Sequence, residues 1–66
     1  MIIKFDARLY TKQAIEAAVA AFEDVASFQV TEESGAIAVK VANGGDVADQ
    51  ELEGEFANYA LSEMSK

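Results

Sequence analysis

The sequence predicts a small α+β domain of order β-α-β-β-α. Three observations predict it. Apolar residues alternate with polar or small ones in short runs at 2–5, 28–31 and 36–41. They recur at helical spacing in two other stretches, after Thr11 and after Asp46. Turn-forming runs, Glu32-Glu33-Ser34-Gly35 and Asn43-Gly44-Gly45, punctuate the second half.

The first strand is Met1-Ile2-Ile3-Lys4-Phe5, ending at Asp6. With Ile3 and Phe5 turned inward, Ile2 and Lys4 turn outward. Thr11 then reads as a helix N-cap, because its hydroxyl can accept from an unpaired first-turn N–H. Tyr10 and Ile15 fall at the two positions of a hydrophobic staple. Ile15, Ala18, Val19, Phe22, Val25 and Ala26 follow at helical spacing, which predicts a helix from 12 to about 25. Its alanines favour helix.

Phe28 and Val30 alternate with Gln29 and Thr31, giving a second strand. Gly35 can take the positive φ of a hairpin turn. Ile37, Val39 and Val41 alternate with Ala36, Ala38 and Lys40 in the third strand, the most apolar one, placed in the middle of the sheet. Asp46 reads as the N-cap of a second helix, with Asp49 at its third position, where the helix dipole favours an acid. Leu52, Phe56, Tyr59 and Ala60 mark the buried stripe, with Met64 continuing it. Gly54 lies inside this helix at a cost of about 1 kcal/mol against alanine, and marks either close packing or fraying.

A right-handed crossover gives sheet order 1-3-2, with both helices on one face. This is a ferredoxin-like split βαβ lacking its last strand. The other face shows Ile2, Lys4, Gln29, Thr31, Ala36, Ala38 and Lys40. Strand one is left with an open edge, and open edges invite pairing with another chain.

Composition bounds the function by subtraction. The chain has 66 residues, 12 Asp plus Glu against 5 Lys plus Arg, and a net charge of −7. That is a single small domain (residues 1–66) whose acidity argues against binding a phosphate backbone. It has no His and no Cys, which excludes a zinc finger, a thiolate nucleophile, a disulfide framework and a His general base. A core this small rarely supplies more than about 3–5 kcal/mol unaided, so association with a partner is expected. No membrane-length apolar run and no export signal is seen, and the cytoplasm is the expected location.

The acidic cluster Asp46, Asp49, Glu51, Glu53 and Glu55 lacks the alternating ligands and central glycine of a calcium loop, and reads as a solvated helix start. Glu16, Glu23, Asp24, Glu32 and Glu33 would need a pocket to act as a general acid–base pair, and a chain this short has little room for one of about 300 Å³. Thr11, Ser27, Ser34, Ser62 and Ser65 have no His to activate them, and suit caps and turns. No catalytic residue, cofactor or metal is expected. The residues expected to meet a partner are Ile2, Lys4, Ala36, Ala38 and Lys40, on a face that reads equally as an interaction surface or as the ordinary solvated side of an antiparallel sheet. The charge is uneven: acids gather at the start of the last helix, while this face keeps Lys4 and Lys40.

The last helix carries Glu55-Phe56-Ala57-Asn58-Tyr59-Ala60-Leu61-Ser62-Glu63. This resembles the C-terminal signature of the His-Xaa-Ser system D-protein family, Leu-Leu-Asn-Asp-Tyr-x-Leu-Arg-Glu. Tyr59, Leu61 and Glu63 match, Asn58 stands where the pattern has Asp, and Phe56 where it has its second Leu. Glu55, Ala57 and Ser62 depart from it, so no charge-based docking role of the family Arg carries over. Tyr10-Thr11, Ala14-Ile15 and the alanine-rich helix are also similar to that family. The resemblance implies a non-catalytic accessory protein of a radical S-adenosylmethionine peptide-modification system, docking a precursor peptide or a maturase. The alternative is a small homodimeric structural or regulatory protein associating through the open sheet face.

Overall fold

The computed structural model describes residues 1–45 and 47–65. The elements are β1 (Ile2–Asp6), α1 (Lys12–Phe22), β2 (Ala26–Glu33), β3 (Ala36–Asn43) and α2 (Asp49–Met64). The three strands form one antiparallel sheet in the order β1-β3-β2, with β3 central. The architecture is therefore the split βαβ without its last strand, as the pattern of the chain predicts.

Each element forms for a local reason. Along β1, Ile3 and Phe5 are buried while Ile2 and Lys4 are exposed. Thr11 caps α1: the Ala14 N–H donates to its Oγ1 at 3.1 Å. Tyr10 packs edge-on against Phe5, with ring centroids 4.8 Å apart. The helix stops at Phe22 rather than near Val25. The Val25 N–H turns back to the Phe22 carbonyl at 3.0 Å, and the Val25 carbonyl accepts from the Gly44 N–H at 3.2 Å. Val25 is thus tied to the far end of β3 and cannot continue the helix. A Cβ on Gly44 would lie 2.8 Å from the Val25 carbonyl oxygen, so this approach requires glycine. In the β2–β3 hairpin, Glu33 pairs with Ala36 and Gly35 takes a φ of 76°.

The start of α2 differs from expectation. Asp46 lies outside the described residues, and the N-cap position is Ala48, which supplies no side-chain bond. Asn43 organises the approach instead. Its Nδ2 donates to the Val47 carbonyl and to Asp49 Oδ1, both at 2.7 Å, and its Oδ1 accepts from the Gly45 N–H at 2.9 Å. Asp49 is therefore the first helical residue, not the third. α2 runs unbroken through Gly54, where a Cβ would meet nothing within 4 Å, so this glycine marks neither close packing nor fraying.

Both helices cover one face of the sheet. Phe56 is fully buried at the centre, stacked on Phe28 at 5.0 Å and tilted against Phe22 and Phe5 at 5.8 and 5.9 Å. Ile15 of α1, Leu52 of α2 and Val39 of β3 are buried around it. Tyr59, expected in the buried stripe, is 38% exposed and reaches the core only by an edge-on contact with Phe22 at 5.8 Å. Met64 is half-buried. Among the described residues no polar or charged side chain is buried.

Candidate functional site

Sheet register builds the uncovered face in rows. Lys40 lies between Ile2 and Gln29, Ala38 between Lys4 and Thr31, Ala36 between Asp6 and Glu33, and Ala42 beside Ser27. All five residues expected to meet a partner are therefore on adjacent strands of one face. They do not contribute alike. Ile2 is 61% exposed, and Lys4 and Lys40 are exposed, whereas Ala36 is half-buried. Ala38, expected to be displayed, is only 8% exposed, because Lys4 and Thr31 flank its methyl group on both sides. It forms the floor of the face.

The face also holds residues that the sequence did not single out for it. Ser27, expected in a cap or turn, is the second residue of β2. It faces Ala42, and this pair of small side chains leaves an open depression of about 450 Å³ rimmed by Gln29 and Lys40. The period-two pattern of β2, continued backwards past Phe28, is the signal that places Ser27 there. A second concavity, about 340 Å³, lies between Thr11, Gln13, Ala14, Ala17 and Glu63. Both exceed the room expected of so short a chain, because they are shallow surface hollows and not cavities within the core. Among the described residues each is lined by one ionisable side chain, Lys40 or Glu63. Neither supplies the two contrasting carboxyl groups that general acid–base chemistry needs.

The edge of β1 follows from its backbone bonds. Val41 N–H donates to the Met1 carbonyl at 2.7 Å, the Met1 nitrogen donates to the Val41 carbonyl at 3.1 Å, and Ala7 N–H donates to the Gly35 carbonyl at 3.1 Å. In an antiparallel ladder the bonded residues alternate. Ile3 and Phe5 therefore bond to β3, and Ile2, Lys4 and Asp6 direct their backbone groups away from it. The Asp6 carbonyl is occupied by the Leu9 and Tyr10 N–H groups at 2.9 and 3.0 Å. The N–H groups of Ile2, Lys4 and Asp6 and the carbonyls of Ile2 and Lys4 line the edge. β2 is the other edge strand, and the same alternation turns Phe28, Val30 and Glu32 outward there.

Charges separate the two edges. Arg8 closes onto Asp6 through three bonds: backbone N–H to Oδ1 at 2.8 Å, Nε to Oδ1 at 3.1 Å and Nη2 to Oδ2 at 2.9 Å. These bonds hold the Asp6 carboxyl below the ordinary carboxylate range and raise Arg8 in turn. Lys12 Nζ pairs with Glu32 on β2 at 3.0 Å, which raises the lysine. Lys4 and Lys40 have no ion-pair partner among the described residues.

The signature residues of α2 lie on the opposite side of the sheet. Phe56 is the centre of the core, Asn58, Tyr59 and Leu61 are exposed, and Glu63 is half-buried. The two sets of expected residues are thus not brought together. Among the described residues no group of three potential metal ligands converges, and no helix is long and apolar enough to cross a membrane. Comparison of the chain with protein-family models, curated proteins and solved structures finds no match.

Proposed function

We propose that this chain is a non-catalytic accessory protein of the cytoplasm that docks an extended peptide segment along β1. The segment belongs to a precursor peptide or maturase of a radical S-adenosylmethionine peptide-modification system, the setting implied by the signature-like run in α2. The observation that carries docking is the outward backbone of Ile2 and Lys4 at an uncovered sheet edge. Such an edge can take a further strand, with backbone bonds for affinity and alternate side chains for selectivity. Association also suits a domain whose single thin core has little stability of its own.

Titration of isotopically labelled protein with a His-Xaa-Ser repeat precursor peptide tests this. The amides of residues 2–6 shift on binding. Binding that leaves them unmoved refutes strand addition at β1.

A homodimer is the second reading. It rests on Ile2, 61% exposed opposite Lys40 and diagonal to Ala38 of β3. Sedimentation across a concentration series separates the two. A monomer at high micromolar concentration rejects the dimer, and a concentration-dependent dimer that buries Ile2 replaces the first reading.

A further inference from the structure

Two sheet edges are open, but their surroundings differ in charge, and that difference selects a partner. We infer that β1 takes an acidic extended segment, one that sets carboxylates beside Lys4 and Lys40 on the uncovered face; this rests on the strand-addition reading above.

Of the basic side chains described, Arg8 is held by Asp6 and Lys12 by Glu32. Lys4 and Lys40 are the two left without a carboxylate, and they stand on the same face of adjacent strands. Ile2 pairs with Lys40 and Lys4 with Ala38, so the lysines are diagonal neighbours. Diagonal positions in an antiparallel pair lie roughly 7–8 Å apart, close enough for one partner strand to address both long side chains. A strand added beside β1 places every second side chain on this face. The position next to Lys4 is then within reach of its ammonium group. The acids at the Gly35 end of the face are Asp6, already engaged by Arg8, and Glu33 on β2. The favourable place for a carboxylate is therefore the end formed by Ile2 and Lys4.

The β2 edge offers the reverse. Glu32 and Glu33 lie at its end, and Lys12 beside them already bridges to Glu32. Lys40, opposite Gln29, stands on β3 between the two edges, so the lysine that distinguishes β1 is Lys4 on the strand itself. An acidic strand would meet like charge there. The net charge of −7 repels acidic ligands at long range. At physiological salt this repulsion is screened beyond about 8 Å, so neighbouring groups decide. The exposed acids Asp49, Glu51, Glu53 and Glu55 belong to α2, which covers the other side of the sheet.

The test uses three synthetic eight-residue peptides in which valine alternates with glutamate, glutamine or lysine. Each is titrated into the labelled full-length protein, with binding read from backbone amide shifts. We expect the glutamate peptide to bind roughly fivefold tighter than the glutamine peptide, in line with two exposed ion pairs, and to shift the amides of Ile2 and Lys4. Lys4→Gln combined with Lys40→Gln removes that preference and leaves glutamine-peptide binding unchanged. Equal affinity for all three peptides at β1 overturns the acidic preference but leaves strand addition standing. Shifts confined to Phe28 and Val30 place the strand on β2 and overturn the inference. Binding of none of the peptides overturns strand addition itself. Shifts at Ile2 and Lys4 caused by raising the protein concentration alone identify the occupant as a second copy and also overturn it.

Discussion

The two faces of the sheet are built on opposite rules. The covered face gathers Phe5, Phe28, Val39, Ile15, Leu52 and Phe56 into one aromatic-centred core. The bare face carries alanines, lysines, hydroxyl residues, Gln29 and the acids Asp6 and Glu33 in rows, and Ile2 at its margin is the one large apolar side chain there among the described residues. One side is filled to exclude water; the other is kept low and polar enough to stay in water. The lesson is that three strands can place their whole apolar core on one side and leave the other small and polar, free for the docking proposed above. Substitutions on the first side should change melting, and substitutions on the second should change binding.

The largest expected effect is Phe56→Ala. It removes the ring that touches Phe5, Phe22 and Phe28 and should cost about 3–5 kcal/mol. That is comparable to the whole stability expected of so small a core, so loss of the cooperative thermal transition is the predicted outcome. Gly44→Ala comes next. Its methyl would strike the Val25 carbonyl, a backbone group with little freedom to move. A loss of about 1–3 kcal/mol is expected, measured by urea unfolding.

Gly54→Ala runs the other way. Its Cβ enters open space in the middle of α2, so helix propensity alone acts, for a gain of about 1 kcal/mol. In a domain of this size that corresponds to a rise of roughly 4–8 °C in Tm. Ile2→Ser should change stability by no more than about 0.5 kcal/mol, as exposed positions do, while weakening any partner seated on the bare face. An Ile2→Ser protein that melts far below the wild type would show that the two faces are not separable in this way.

The smallest effect concerns pH. Arg8 holds the folded Asp6 carboxyl below its ordinary value. A group with a depressed folded pKa adds stability above its unfolded pKa and loses it as the pH falls through the folded one. The contribution is therefore present at neutral pH and fades in acid below the normal aspartate range. Because the pair is exposed, Asp6→Asn should produce only a slight change in the acid limb of a stability profile.

Much of this division was legible in the chain. Alternation in the three runs fixed which side chains of each strand face the helices, and the apolar character of β3 placed it centrally. Thr11 announced the start of α1 because a hydroxyl cap is a local device. The ends that were misjudged depend on contacts made at a distance. α1 stops early because Val25 bonds to Gly44, and α2 starts late behind a loop that Asn43 holds by bonds to Val47, Asp49 and Gly45. Tyr59 keeps helical register with the core yet lies at its rim, since Phe22 meets only its edge. Ala38 could be assigned to the bare face but not to its floor, because its shielding comes from Lys4 and Thr31 on two other strands. The difference in charge between the two edges was likewise hidden, since it depends on the pairing of Lys12 with Glu32.

Amide hydrogen exchange along β1 tests the central claim most directly. Ile3 and Phe5 bond to β3 and should be protected in the free protein, while Ile2 and Lys4 should exchange at nearly unprotected rates. Saturation with the valine–glutamate peptide should then slow Ile2 and Lys4 selectively. Slow exchange at Ile2 and Lys4 in the free monomer, or continued fast exchange with the peptide bound, would contradict the account.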